Sequence, residues 1–207
     1  MSTNMQDIFE LRELIQNWYI WRDMGDWDRL RTIWHPGGKM AASWREGPFE
    51  EFIAANQKGW GKGLSILHQP GASSIDLNGN RAVSITKMII SQRAVVNGVL
   101  CDVNCLARHH DLWEKRNGRW GLMMKDTIFD KDRIDPVNSG EVVKLDAELL
   151  NSFPEGYRYL GYLQSSIGYK VNKNKATLFG EPVEKMYARG RAWLAGASFA
   201  ELFPEQA

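Results

Sequence analysis

The sequence predicts an α+β fold, with helices first, then an antiparallel meander, then a helical tail. Three observations carry this prediction. Ile8, Leu11, Leu14, Ile15, Trp18, Tyr19 and Trp21 recur at roughly three-to-four spacing, the period of one helical face. Two Asn-Gly dipeptides, Asn97-Gly98 and Asn117-Gly118, separate β-rich runs, and this dipeptide marks two-residue hairpins. Beyond residue 140 the chain stays too apolar and aromatic to be a free linker.

Each element has its own signal. The first helix is expected over 5–23, a break follows at Met24-Gly25, and Asp26 is the N-cap of a second helix over 26–34. Residues 39–44 read as a short strand. Gly47-Pro48 opens a third helix whose inner side carries Phe49, Phe52, Ile53 and Trp60. Gly59, Gly61 and Gly63 end it. Residues 64–77 read as extended, with a turn at Asn78-Gly79-Asn80. Strands are expected over 80–96, 99–115 and 119–129, and helices over 144–150, 155–169 and 181–195, with Gly196 as a C-cap. The division expected is a domain over 1–137 and an extension over 138–207 that packs on it, lids a pocket or contacts a neighbouring subunit.

The second hairpin fixes a register. A two-residue loop at Asn117-Gly118 pairs Trp113 with Leu122, Asp111 with Met124 and His109 with Asp126. One face then carries Cys105, Ala107, His109, Asp111, Trp113, Trp120, Leu122, Met124, Asp126 and Ile128. Thr86, Met88, Ile90 and Gln92 join it through the first hairpin. This apolar face is expected to meet the helices. The other face, with Arg108, His110, Leu112, Glu114, Met123, Lys125 and Thr127, is expected to meet solvent or another subunit.

Composition narrows the function. The chain has 207 residues and a net charge of +1, so nothing directs it to nucleic acid or an anionic membrane. No run is long enough to span a bilayer and no leader pattern opens the chain, so a cytoplasmic protein is expected. Cys101 and Cys105 lie four apart on one strand, which does not favour a disulfide. Nine tryptophans suit a core, an interface, or a pocket for a flat apolar ligand.

The chemistry left is acid–base. Phosphate loops, dinucleotide fingerprints and nucleophile elbows are missing from the sequence. His109 and His110 point to opposite faces and cannot chelate together, so neither metal nor cofactor is expected; a metal would have to use Asp23, His68, His109 and Asp126. Asp23 lies one turn beyond Tyr19, at the edge of the apolar stripe. It either bonds Arg22, Arg29 or Arg31, or pairs with an inward base. His68 precedes Gln69-Pro70-Gly71 at the start of an extended segment. Paired with a carboxylate, it would be a general base needing no cofactor.

The run Trp21-Arg22-Asp23-Met24-Gly25-Asp26-Trp27-Asp28-Arg29-Leu30, with Ile33-Trp34, resembles the helix-1 to helix-2 signature of SnoaL-like proteins in the nuclear transport factor 2-like superfamily. Gly47-Pro48, His68, Asp111-Leu112-Trp113 and Asn117-Gly118-Arg119-Trp120 fit the same pattern over residues 5–135. The resemblance implies a cone of three helices against a curved antiparallel sheet. It also implies a His–Asp dyad, used by the superfamily's scytalone dehydratase and hexachlorocyclohexane dehydrochlorinase for elimination. Asp23 and His68 occupy the dyad positions. The dehydrochlorinase lysine position holds Trp18, and its last-strand arginine position holds Met124.

The reading is a cofactor-independent lyase acting on a small hydrophobic, aromatic or alicyclic substrate. Asp23 and His68 are catalytic. Tyr19, His109 and Asp126 contact substrate. Trp18, Met40, Trp60, Met88, Ile90, Leu122, Met124 and Ile128 form the wall. Dehydration or HX elimination is favoured, and aryl side-chain cleavage or isomerisation would use the same base. A non-catalytic binding module is the rival. A dimer or trimer is expected.

Overall fold

The computed structural model describes residues 5–60 and 65–204. Helix α1 spans Met5–Met24, α2 Trp27–Thr32 and α3 Phe49–Gly59. Leu11, Ile15, Trp18, Tyr19 and Arg22 are the buried positions of the last four turns of α1, one continuous stripe. Gly25 breaks the helix with φ +73°, and its missing Cβ leaves room for the Trp60 ring, which a Cβ would meet at 2.7 Å. Asp26 Oδ1 accepts from Arg29 N at 3.2 Å, the N-cap expected for α2. Of the three glycines expected to end α3, Gly61 and Gly63 lie outside the described residues. Trp60 lies one residue past α3 and is half-exposed, off its inner side.

The strands are β1 (Trp34–Ala41), β2 (Glu46–Pro48), β3 (Ser65–Asn78), β4 (Arg81–Val96), β5 (Val99–Arg116) and β6 (Arg119–Pro136). They form one sheet in the order β2-β1-β6-β5-β4-β3. The sheet is mixed, because β1 starts earlier than expected and runs parallel to β6. Both hairpin turns hold Asn and Gly at positive φ (Asn97 49°, Gly98 83°; Asn117 50°, Gly118 79°), the demand of a type I′ turn.

The expected register survives only as far as Trp113 opposite Leu122. Met123 is then bulged out, so Leu112 meets Met124, Asp111 meets Lys125, His110 meets Asp126 and His109 meets Thr127. One extra residue exchanges the two faces of all that follows. Lys125 and Thr127 therefore point inward. Met124, Asp126 and Ile128, expected to contact substrate, point to the opposite face. A second irregularity, between Leu106 and Ala107, carries β6 on to Pro136.

Helices pack on both faces, leaving part of the outer face of β3 to β5, around Leu67, Val95 and Leu106, exposed. The inner face packs on α1 to α3 and on a C-terminal run made of α4 (Ala147–Asn151), a single 3-10 turn (Glu155–Tyr157) and α5 (Arg158–Ser166). The outer face is covered by α6 (Glu181–Leu194) and α7 (Phe199–Leu202). Trp193 and Phe203 pack there on Val83, Leu112, Met123 and Met124, and Val183 and Met186 pack on Ile128. Arg81 stacks 4.1 Å from the centre of the Trp193 ring. The part of the face around Leu112 and Met123, expected to meet solvent or another subunit, is thus occupied by the chain's own tail. Among the described residues no helix is long and apolar enough to cross a membrane.

Candidate active site

The inner face and its helices enclose a small cavity of about 50 Å³. The end of α1 and the start of β3 supply its first two groups. Asp23 is at the last turn of α1, and His68 is the fourth residue of β3. Asp23 Oδ1 lies 2.8 Å from His68 Nδ1, and Asp23 Oδ2 accepts the His68 backbone N–H at 2.5 Å. Two-point attachment fixes both backbone and ring. A carboxylate accepts only, so Nδ1 carries the proton and Nε2 is the free base.

Asp23 is shared. Arg22 Nη1 donates to its Oδ1 at 3.0 Å, while the same guanidinium reaches Ile66 O and Asn56 Oδ1. Both sequence readings of Asp23 are therefore present at once. Burial pushes the Asp23 carboxyl up, but the hydrogen bonds from the His68 ring and backbone, with the Arg22 charge, outweigh it and hold the group below its ordinary range. Burial pushes the His68 pKa down, the Arg22 charge pushes it further, and Asp23 recovers part of the loss. His68 is therefore neutral, as a base must be before it acts.

A second imidazole stands close by. His109 on β5 lines the cavity, and its Nδ1 lies 2.8 Å from the Tyr19 hydroxyl. Burial raises the Tyr19 pKa well above normal, so its hydroxyl keeps its proton and donates it to Nδ1. Burial, with the charge of Lys125, drives the His109 pKa well down. Neutral His109 then carries its proton on Nε2. Trp18 packs edge-on to both histidines, at 5.9 Å from His68 and 5.1 Å from His109. The cavity thus has one imidazole poised to accept a proton and one poised to donate a hydrogen bond.

Lys125 lies behind this pair. Its Nζ contacts Asp111 Oδ2 at 2.9 Å and Oδ1 at 3.2 Å, and neither side chain is exposed. It also sits 4.5 Å from the centre of the Trp18 ring. Burial pulls both groups toward their neutral forms, and each opposes that in the other. Lys125, expected on the outer face, thus lies on the inner face one residue after Met124, paired with Asp111 and not among the residues that line the cavity.

The remaining candidates separate cleanly. Trp18, Met40 and Ile90 line the cavity. Met88 and Leu122 are buried in the core but do not line it. Trp60 stands at an outer mouth with Asn56 and Tyr169. Asp126 is bound by Lys175 at 2.6 Å on the far face, and Met124 shares its surface recess there. It cannot act with His109 as substrate contact or metal ligand. Sequence reasoning missed Phe52, Gln92, Thr127 and Phe129 as lining residues, and also Gln164 of α5, which accepts from Ser43 Oγ at 2.7 Å and closes the top. Gln92 had one usable signal, a polar residue on the inner face of the predicted sheet.

Residues 3–123 match the SnoaL-like domain family. The chain is 34% identical over 198 residues to pea pathogenicity protein 2 of Fusarium vanettenii, covering 90% of this chain and 85% of that one. It is 32% identical over 204 residues to an uncharacterised protein of Emericella nidulans, with the same coverage of 90% and 85%. Two solved structures share the fold at low identity. A hexachlorocyclohexane dehydrochlorinase of type 2 superposes with a TM-score of 0.55 at 12% identity, over 68% of this chain and 95% of that one. A Novosphingobium aromaticivorans protein provisionally named a scytalone dehydratase gives 0.55 at 13% identity, over 68% and 97%. With the family match over residues 3–123 and a relative 34% identical across 90% of its length, the chain belongs to the SnoaL-like domain family.

Proposed function

We propose that the protein is a cofactor-independent lyase that removes water, or HX, from a small ring substrate. The observation that carries this is the 2.8 Å contact between Asp23 and His68, with Nε2 left free at a buried cavity. His68 Nε2 takes a proton from the carbon beside the leaving group. The C–H electron pair becomes the new double bond as the bond to the leaving group breaks. Asp23 steadies the imidazolium that forms. His109 Nε2–H bonds the departing oxygen, and the imidazolium returns its proton to it, so water leaves and the enzyme is restored. Aryl side-chain cleavage and isomerisation start from the same deprotonation. The fold shared with a dehydrochlorinase supports the reading.

The test is an elimination assay on hydroxylated and halogenated alicyclic and aromatic compounds. His68→Ala should lose about 10²–10⁴-fold in turnover, the usual share of a general base. Full activity in that variant would sink the mechanism. Saturable ligand binding with no turnover of any compound would favour a binding module.

A further inference from the structure

One cavity group has no part in the proton chemistry. Gln92 lies on β4, on the same face as Ile90. It is 1% exposed, and among the described residues neither its Oε1 nor its Nε2 has a hydrogen-bond partner. It lines both the cavity and the outer mouth, so it stands where the two meet. A buried amide left unpaired costs the desolvation of every donor and acceptor it carries. An apolar side chain would wall the same space without that cost, as Ile90 does. An amide that braced the fold would show the bond by which it does so.

Its position also sets a direction. Ile90 is the strand partner of His68, and Gln92 lies two residues further along the same face, toward the outer mouth.

We infer that Gln92 is the recognition residue for a ring hydroxyl, held at the end of the substrate away from the carbon that His68 deprotonates. A hydroxyl can donate to Oε1 and accept from Nε2 together. A hydrocarbon or polyhalogenated ring can do neither, and a site built to bond a hydroxyl rejects analogues that lack it. The inference rests on the cavity being the substrate site, and it selects hydroxylated rings, hence loss of water, within the lyase reading.

The test uses the full-length protein, with resorcinol and toluene as probes followed by tryptophan fluorescence and calorimetry. Wild type should bind resorcinol at least tenfold more tightly than toluene. Gln92→Met should weaken resorcinol about tenfold, leave toluene unchanged or tighter, and melt at or above the wild-type temperature, because an orphaned amide is gone. Equal wild-type affinities, no saturable resorcinol binding, or selectivity that survives Gln92→Met overturns the inference. So does a Gln92→Met protein that melts well below wild type or fails to fold, since the amide would then be structural. His68→Ala should keep the resorcinol preference. Selective binding in a protein that turns nothing over leaves Gln92 in its role and removes only the lyase reading.

Discussion

His68 sits between a carboxylate and a guanidinium that pull its proton affinity in opposite directions. Burial adds to the guanidinium's side, so the basic form survives into mild acid. The acid limb of the proposed reaction should therefore fall below the ordinary histidine range near 6.5. Arg22→Leu removes the repelling charge and should move that limb upward, as a pH profile of kcat/KM would show; an unmoved limb would mean that Arg22 does not act on His68. Asp23 and His68 were legible in the sequence because each occupies a place set by local rules, the end of a periodic helix and the start of an extended run. Gln92 and Gln164 were less legible. Nothing local distinguishes a buried glutamine that lines a cavity from one that simply ends at solvent.

Lys125 and Asp111 show how one irregularity decides a strand. The alternation of β6 reads the same on either side of Met123 because Met123, Met124 and Ile128 are as apolar as the residues they replace. Hairpin counting therefore assigned the wrong face to everything beyond the bulge. Lys125→Met should destabilise by about 3–5 kcal/mol, because it strands the Asp111 carboxylate in the core. The double variant with Asp111→Leu should recover most of that loss in urea melts, and a double variant no better than the single would argue that the pair is not isolated. Strands β5 and β6 carry a pH signature of two signs, from His110 on the outer face and Asp132 on the inner face against α5. Burial depresses His110 from 6.5 to about 4, so the unfolded chain binds the proton first and stability falls as pH drops through that window. The full window is worth roughly 3 kcal/mol. Burial raises Asp132 from 3.8 to about 6, so the folded chain binds that proton first and regains stability as pH falls from about 6. His110→Leu should flatten the acid slope of a Tm-versus-pH curve. Asp132→Asn should raise Tm above pH 7 while keeping the acceptor for Leu160 N–H, a bond of 2.8 Å.

At the scale of the whole molecule, the helix-then-meander order and the apolar tail were readable because periodicity and turn chemistry are local. The parallel pairing of β1 with β6 was not, since it joins segments about eighty residues apart with no turn to announce it. Nor was the destination of the tail. Trp193 is fully buried on the outer face and donates from Nε1 to Trp113 O at 3.1 Å. Trp193→Ala should cost about 3–5 kcal/mol in denaturant melts. Ending the chain before α6 should give an aggregating protein, because Val83, Leu112 and Met123 lose their cover; a soluble, monomeric truncation would contradict this. The tail lies last in the chain yet packs on both sides of the sheet, with α5 over the cavity and α6 over part of the back. On a ribosome, eight of the nine tryptophans and the long hairpins emerge well before their cover does. The Ser43–Gln164 contact spans 121 positions and can form only near the end of synthesis. Such distant closure makes for a slow, sticky nascent chain that depends on holding factors until its final helices arrive.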